Sequence, residues 1–181
     1  MSCIFSRRNI TVSIFMALLM ILLSGQTSYA RKIVSMKLHY KPGTIIVVNS
    51  ERKLYYVLGN GRAIRYPIAI GVPQEQWIGT TFVQNKRKHP NWTPPPKSPG
   101  GKPGRTVPGG PGNPLGARAI YLDWSLYRIH GTYTPGSIGR ASSNGCFRMY
   151  NKDVKDLYER VHIGAPVHVV QTLETKRKAR R

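Results

Sequence analysis

Two short segments of the chain carry side chains that could perform covalent chemistry together. His130 stands 16 positions before Cys146, and each lies beside a glycine, Gly131 and Gly145. A cysteine attacks a carbonyl as its thiolate, and a neighbouring histidine can accept the thiol proton. Of the five histidines, His130 is the one in a Gly-flanked turn at the end of an apolar stretch, where catalytic groups are often displayed. The pattern therefore predicts a cysteine nucleophile with a histidine base.

The residues around Cys146 suit that chemistry. Gly145 has no Cβ, so another part of the backbone could approach the sulfur, and nearby amides are left to face a developing oxyanion. Arg148 lies two residues further on and shares a face with Cys146 if the segment is extended. Its guanidinium would lower the thiol pKa or hold a substrate carboxylate. A salt bridge to Asp153 or Asp156 is the structural alternative for Arg148.

The number of cysteines limits the possible chemistry further. The chain has two, Cys3 and Cys146, and Cys3 falls in an N-terminal segment that resembles an export signal. Once that segment is removed, one thiol remains and no internal disulfide can form. A buried apolar cysteine and an intermolecular bridge are the alternatives to a functional thiol. One cysteine with scattered histidines lacks the ligand spacing of a zinc site, so we predict no metal and no cofactor.

Residues 1–30 have the pattern of a cleaved signal peptide. Arg7 and Arg8 precede the apolar stretch 10–23, and Ser28-Tyr29-Ala30 fits a small-x-small cleavage site. The stretch is shorter than the roughly 20 residues that a spanning helix needs. We predict cleavage after Ala30 and a location in the periplasm or cell envelope, with an uncleaved membrane anchor as the alternative.

The chain is strongly basic, with a formal net charge of +21, and removal of Arg7 and Arg8 with the signal leaves +19. Such a field attracts polyanions. Export favours anionic envelope polymers over nucleic acid, and the sequence has no recognised nucleic-acid motif. The last six residues, 176–181, hold five basic side chains and are predicted to be part of a solvated tail, 171–181.

Strand signals occupy much of the remaining sequence. Segments 44–49 and 53–58 flank a polar turn, and apolar residues then alternate along 64–70. Further strand segments are 80–84, 117–123, 126–129 and 166–170. Consecutive strands of this kind predict a mainly β, antiparallel domain.

Two other segments interrupt the strands. Residues 93–116 contain eight prolines and seven glycines, which excludes a helix or a central strand. Because neither flank is large enough to fold easily alone, we predict a long structured loop beside the active site and not an interdomain linker. Residues 151–160 form the one convincing helix, with Val154 and Leu157 on a single apolar face.

The motifs together closely resemble the L,D-transpeptidase catalytic domain of bacterial cell-wall enzymes. That family has a His-Gly, a spacer, and then Ser/Thr-x-Gly-Cys-x-Arg, which Ser143, Gly145, Cys146 and Arg148 match. Segments 66–71, 91–96 and 109–116 are also similar to the family, so the resemblance covers roughly residues 44–170. Asn144 stands where many members carry a histidine, and the turn before Phe82 lacks the proline that members often have.

The resemblance implies a β-sandwich-like domain with a cradle over the active site, acting on peptidoglycan stem peptides. We also expect one short helix after Cys146 and a monomeric protein. Cys146 would attack the third residue of a tetrapeptide stem, release D-alanine and pass the acyl group to a neighbouring stem as a 3→3 cross-link. His130 would serve as base and then as acid, oriented by the Gly131 carbonyl. The amides of Gly145 and Cys146 would form the oxyanion hole. The same loop would supply the remaining substrate-binding residues, namely Ser143, Asn144 and Arg148.

The sequence leaves several reactions open. An L,D-carboxypeptidase or endopeptidase would use water as acceptor, and a third reaction type would attach a protein to peptidoglycan through the same acyl-enzyme. A non-catalytic, basic wall-binding module is the alternative outside enzymes. The predicted organisation is a signal peptide at 1–30, a lead-in at 31–43, the catalytic domain at 44–170 and the basic tail at 171–181.

Overall fold

The computed structural model describes residues 31–36, 40–94, 104–123 and 126–173. Within these ranges the chain forms strands and a single α-helix, α1 (Asn151–Arg160). The predicted signal peptide and most of the predicted basic tail lie outside the described residues. The strands are β1 (Lys32–Ser35), β2 (Ile45–Val48), β3 (Lys53–Gly59), β4 (Arg62–Gly71), β5 (Gly79–Lys88), β6 (Arg118–Leu122), β7 (Arg128–His130), β8 (Ala141–Ser143), β9 (Phe147–Met149) and β10 (Pro166–Val170).

The strands form one sheet that closes on itself. Its order is β1-β4-β3-β2-β10-β5-β6-β7-β9, and β9 pairs again with β4, which completes a barrel-like ring. Most pairs are antiparallel, but β2–β10, β7–β9 and β4–β8 are parallel. The predicted mainly β fold with one short helix is confirmed. The prediction of an antiparallel domain is only partly correct, because the last strand, β10, runs parallel to β2, and the short strand β9 runs parallel to β7.

The core explains why the strands are so apolar. All four residues of β2 are buried, since both faces of the sheet are covered at this position. Ile45 and Val47 belong to the main core, which includes Val154 and Leu157 of α1. The opposite face of β2 packs into a second cluster with Met36 and Tyr55. Burial of these side chains is the main stabilising contribution to the fold.

Helix α1 begins and ends where its apolar periodicity predicted. Val154 and Leu157 face the core, and the Val161 amide donates to the Leu157 carbonyl at the C-terminal end. Asp156 lies on another face of the helix, where it accepts a 2.6 Å hydrogen bond from the Tyr66 hydroxyl and pairs with Arg160 at 3.0 Å. The helix is therefore attached to β4 by apolar packing and by one polar contact.

The periodicity of the sequence did not predict two of the short strands. Strands β8 and β9 have three residues each, too few for an alternating pattern to be recognised. Residues 32–35, predicted as part of a lead-in, form β1 and pair with β4 in the same sheet.

The described part of the Pro/Gly-rich segment is a structured loop. Trp92 and Val107 form an antiparallel bridge across it. The buried Asn113 amide donates to the carbonyls of Pro90, Val107 and Pro108 at 2.9–3.0 Å. Residues 95–103 of the predicted loop lie outside the described residues.

No helix in the described ranges is both long enough and apolar enough to cross a membrane.

Candidate active site

Strands β7 and β9 place His130 and Cys146 on one face of the sheet. The two strands are parallel, with Ile129 opposite Phe147 and His130 opposite Arg148. Ile129 and Phe147 are buried in the core, so the residues on either side of them point to the opposite face. Cys146 directly precedes β9 and falls on the same face as His130 and Arg148. Two segments that are separate in sequence thus meet at one surface.

The imidazole of His130 is held in one orientation. Its Nδ1–H donates to the Gly131 carbonyl at 2.6 Å, which leaves Nε2 as a proton acceptor in the neutral ring. His130 is only 4% exposed. Burial lowers the pKa of His130 to about 4; the Gly131 hydrogen bond raises it, and the charges of Arg148 and Arg128 lower it further. The ring is therefore a neutral base at neutral pH.

The Cys146 thiol experiences opposing influences. Burial raises the pKa of Cys146. Hydrogen bonds from the backbone amide and the guanidinium of Arg128 lower it, and so do the positive charges of Arg128 and Arg148. These directions favour a neutral thiol beside a neutral imidazole at rest. The nucleophile would then form by proton transfer during attack, with the two guanidinium groups stabilising the developing thiolate.

Arg128 is a residue of this site that sequence reasoning missed. It lies in β7 two positions before His130, so the two side chains share a face. Its Nη1 donates to the Leu126 carbonyl at 2.7 Å, and its guanidinium lies 5.2 Å from the centre of the Tyr121 ring. The same Leu126 carbonyl is 4.0 Å from the Cys146 sulfur. Side chains alternate between the two faces of a strand, so the sequence could have indicated that Arg128 shares a face with His130.

Arg148 does not form the salt bridge considered from sequence. Among the described residues, the ion pairs are those of Asp156 with Arg31 and Arg160, at 2.9 and 3.0 Å. Helix α1 packs on the core face of β6 and β7, whereas Arg148 points to the face that carries Cys146. Arg148 is partly buried, which lowers the pKa of its guanidinium, and its positive charge acts on the Cys146 thiol.

The predicted substrate-binding residues in the loop before Cys146 differ in their exposure to solvent. Asn144 is exposed, in keeping with contact to a ligand. Ser143 is 1% exposed and its hydroxyl donates to the Cys146 carbonyl at 2.5 Å. Its side chain therefore stabilises the loop and is not accessible to a substrate, because the hydroxyl is buried against the backbone.

Gly145 is required by its surroundings. It adopts φ +93°, a conformation that favours glycine, and a Cβ would collide with the Tyr127 ring and lie 3.1 Å from the Glu75 carbonyl. The group that approaches Gly145 most closely is therefore the aromatic ring of Tyr127, whereas the sequence analysis predicted a close approach of backbone. Within the described residues, the amides of Asn144, Gly145 and Cys146 donate no hydrogen bond to the protein. Amides without a protein acceptor are one requirement of an oxyanion hole.

Asn151, the first residue of α1, contacts the turn that follows His130. Its Oδ1 accepts from the Ala117 amide and its Nδ2 donates to the Thr132 carbonyl, both at 2.9 Å. Gly131 packs directly against the Asn151 side chain, where a Cβ would collide. Asn151 thus connects α1 to the turn that carries the Gly131 carbonyl.

Metal-ligating side chains are not grouped in the described ranges, where no three His, Cys, Asp or Glu residues lie close enough to hold a metal ion.

The comparison with known families agrees with this geometry. The family model of the L,D-transpeptidase catalytic domain (YkuD) matches residues 42–169. The chain belongs to this family. A protein of Fuscovulum blasticum is 40% identical over 123 residues, 66% of this chain and 65% of that protein. "Probable L,D-transpeptidase YbiS" of Escherichia coli K12 is 40% identical over 135 residues, 69% of this chain. The chain spans 44% of YbiS, so it covers less than two thirds of both relatives.

A solved structure supports the fold. The catalytic domain of the E. faecium L,D-transpeptidase superposes with a TM-score of 0.57 at 22% identity, covering 74% of this chain and 100% of that domain. L,D-transpeptidases are cysteine-based acyltransferases that act on peptidoglycan stem peptides. The barrel-like sheet with one short helix is therefore the family's catalytic fold.

Proposed function

We propose that this L,D-transpeptidase family member forms 3→3 cross-links in peptidoglycan through a thioester on Cys146. The observation that carries the proposal is the register of β7 and β9. It places Cys146 and His130 on the same face of the sheet, and the Nδ1–H of His130 is bonded to the Gly131 carbonyl at 2.6 Å. That bond directs the basic Nε2 away from the backbone and makes it available to the thiol.

The first half-reaction acylates the enzyme. Nε2 of His130 takes the thiol proton while Sγ of Cys146 bonds to the carbonyl carbon of the third residue of the donor stem. The oxyanion faces the amides of Gly145 and Cys146, which donate to no protein acceptor among the described residues. Collapse breaks the C–N bond, and His130 returns the proton to the departing amine of D-alanine.

The second half-reaction transfers the acyl group. The side-chain amine of a neighbouring stem attacks the thioester, and His130 removes the proton from that amine. Collapse forms the new amide and breaks the C–S bond, and the proton passes to the sulfur. If water attacks instead, the same intermediate gives a carboxypeptidase, and an amine on a protein would give protein attachment.

The charges of Arg128 and Arg148 both act on the thiol of Cys146. Neither makes an ion pair with a described acidic residue. A stem peptide that ends in D-alanine presents a carboxylate, which a guanidinium binds well. The positive charges of the two arginines also lower the pKa of Cys146. These observations support a role for both arginines in thiolate formation and in binding of the donor stem.

Incubation of the protein, as residues 31–181, with tetrapeptide muropeptides tests the proposal. We expect mass spectrometry to show loss of D-alanine together with cross-linked dimers, and no product with Cys146→Ala. Loss of D-alanine without dimers would instead identify a carboxypeptidase. Equal product from wild type and Cys146→Ala would contradict the proposed nucleophile.

We also propose that residues 1–30 are an export signal, that 44–170 are the catalytic domain and that 171–181 are a basic tail in the envelope. Immediately after the proposed cleavage site, Arg31 pairs with Asp156 at 2.9 Å and β1 begins at Lys32. N-terminal sequencing of the native protein should then begin at Arg31. A full-length product retained in the membrane would show that the segment is an anchor.

A further inference from the structure

The peptide between Gly145 and Cys146 is bonded to a side chain from a distant part of the chain. Nε1–H of Trp77 donates to the Gly145 carbonyl at 3.1 Å. On the other side of the nucleophile, the Ser143 hydroxyl donates to the Cys146 carbonyl at 2.5 Å. Both peptide planes that flank the Cys146 Cα therefore have their carbonyl groups fixed by hydrogen bonds.

Trp77 is itself firmly placed. Its ring stacks on Tyr127, with ring centres 5.2 Å apart and planes inclined by 8°, and packs tilted against Phe147 at 5.6 Å. Its backbone carbonyl accepts a 3.0 Å hydrogen bond from the Asn49 side chain. Stacked aromatic pairs of this kind stabilise an arrangement beyond the area they bury. The indole therefore presents its N–H to the Gly145 carbonyl from a fixed position.

The hydrogen bond to the carbonyl determines where the amide points. A peptide group is planar and trans, so the Gly145 C=O and the Cys146 N–H point in opposite directions. Gly145, at φ +93°, has no side chain to restrict rotation of this plane. When Trp77 bonds the carbonyl on one side, the Cys146 amide is directed to the other. That amide donates to no protein acceptor in the described ranges.

We propose that Trp77 is a positioning residue, which orients the Cys146 amide as an oxyanion donor. The inference rests on the proposed acyl-transfer function. A purely structural tryptophan would stabilise the fold in the same way but would have no selective effect on reactions that form an oxyanion.

Two reagents for the same thiol distinguish these roles. Meropenem acylates through addition of Sγ to its strained carbonyl, which forms an oxyanion before the C–N bond breaks and the ring nitrogen takes the proton. Iodoacetamide alkylates Sγ by displacement of iodide and forms no oxyanion. An oxyanion donor should therefore accelerate the first reaction and leave the second unchanged.

Trp77→Phe retains an aromatic ring against Tyr127 and removes the N–H donor. We expect meropenem acylation, followed by intact-mass spectrometry, to slow by about tenfold or more, since loss of one oxyanion donor costs about 10²–10³. Alkylation should stay within about twofold of wild type. Tyr56→Phe is the matched control, because it also removes an aromatic hydrogen bond to a backbone carbonyl, that of Arg160 at 3.0 Å, away from the thiol.

An equal fall in both rates, or no change in acylation, would overturn the role of Trp77. Failure of wild type to react with meropenem while iodoacetamide still alkylates Cys146 would instead overturn the proposed acyltransferase, and this inference with it. If Trp77→Phe does not fold, benzothienylalanine at position 77 keeps the bicyclic shape without the N–H and permits the same comparison of rates.

Discussion

At the scale of residues, burial alone would leave the proposed nucleophile and base poorly reactive. It raises the pKa of the Cys146 thiol and lowers the pKa of His130 to about 4. The charges of Arg128 and Arg148 act on both groups, favouring the thiolate and disfavouring the imidazolium. The site therefore suits a base that is neutral until the moment of attack, and it does not favour a preformed ion pair.

The depressed pKa of His130 predicts a loss of stability in acid. The unfolded chain binds a proton on this residue near its ordinary pKa of 6.5, whereas the folded chain binds it only near 4. Stability should therefore be fully present above pH 6.5 and fall by up to about 3 kcal/mol as pH drops to 4. Urea unfolding at several pH values measures this, with His130→Gln as a variant expected to lack that contribution. Identical pH profiles for the two proteins would contradict the buried neutral imidazole.

The contacts of Arg128 predict a specific effect on thiol reactivity. Arg128→Gln should raise the Cys146 pKa and slow iodoacetamide alkylation by about tenfold at a fixed neutral pH, because a nearby opposite charge shifts a pKa by about one unit or more. Arg118→Gln is a matched control. Arg118 also lies over a tyrosine ring, that of Tyr158 at 5.4 Å, but it projects from the other face of the sheet. Equal effects of the two changes would contradict a local action of Arg128.

At the scale of elements, the site depends on how α1 meets the β7 turn. Asn151 bonds both the segment before β6, through Ala117, and the segment after β7, through Thr132. The first turn of the helix therefore helps to determine where the Gly131 carbonyl lies. That carbonyl in turn fixes the orientation of His130.

Replacement of Asn151 should affect stability and chemistry together. Asn151→Ala removes two part-buried hydrogen bonds and should cost about 1–3 kcal/mol in unfolding free energy. It should also slow meropenem acylation, because the His130 turn loses its support. Asn151→Asp retains the acceptor for Ala117 and loses the donor to Thr132, so we expect an intermediate effect.

Lys152→Ala, at an exposed position of the same helix, provides the comparison for these two variants. Acylation by a folded Asn151→Ala protein at the wild-type rate would show that the helix contact is purely structural.

At the scale of the whole molecule, positive charge dominates. The chain carries 28 Lys and Arg against seven Asp and Glu. Seven acidic side chains can neutralise at most a quarter of these basic ones, and one of them, Asp156, pairs with both Arg31 and Arg160. Most of the positive charge is therefore available to attract polyanions over distances of about one Debye length.

We expect binding to isolated sacculi to weaken steeply with salt. Exposed charges are largely screened beyond about 10 Å at 0.1 M salt. At low salt, deletion of residues 176–181 should reduce binding relative to the intact chain, because it removes five basic side chains. Activity on soluble muropeptides should stay unchanged. Co-sedimentation across a salt series measures the effect, with the intact chain 31–181 as reference. Binding that is independent of salt would rule out an electrostatic contribution.

Local patterns were sufficient to predict much of this protein. Alternating apolar residues located β4, helical spacing located α1 with its observed bounds, and proline and glycine marked the loop after Thr93. Residue type and spacing also singled out Cys146 and His130. Such features depend on interactions between near neighbours, which a sequence displays directly.

Only the tertiary structure decided what surrounds the thiol. Trp77 bonds Gly145 across 68 positions, and Arg128 reaches the thiol because β7 and β9 are parallel neighbours in a particular register. A shift of one residue in that register would turn Cys146 toward the core and remove it from His130. Strands as short as β9 carry no pattern that selects a partner, so closure of the whole sheet determines their pairing. For that physical reason, the sequence could identify the reactive residues but not the neighbours that tune them.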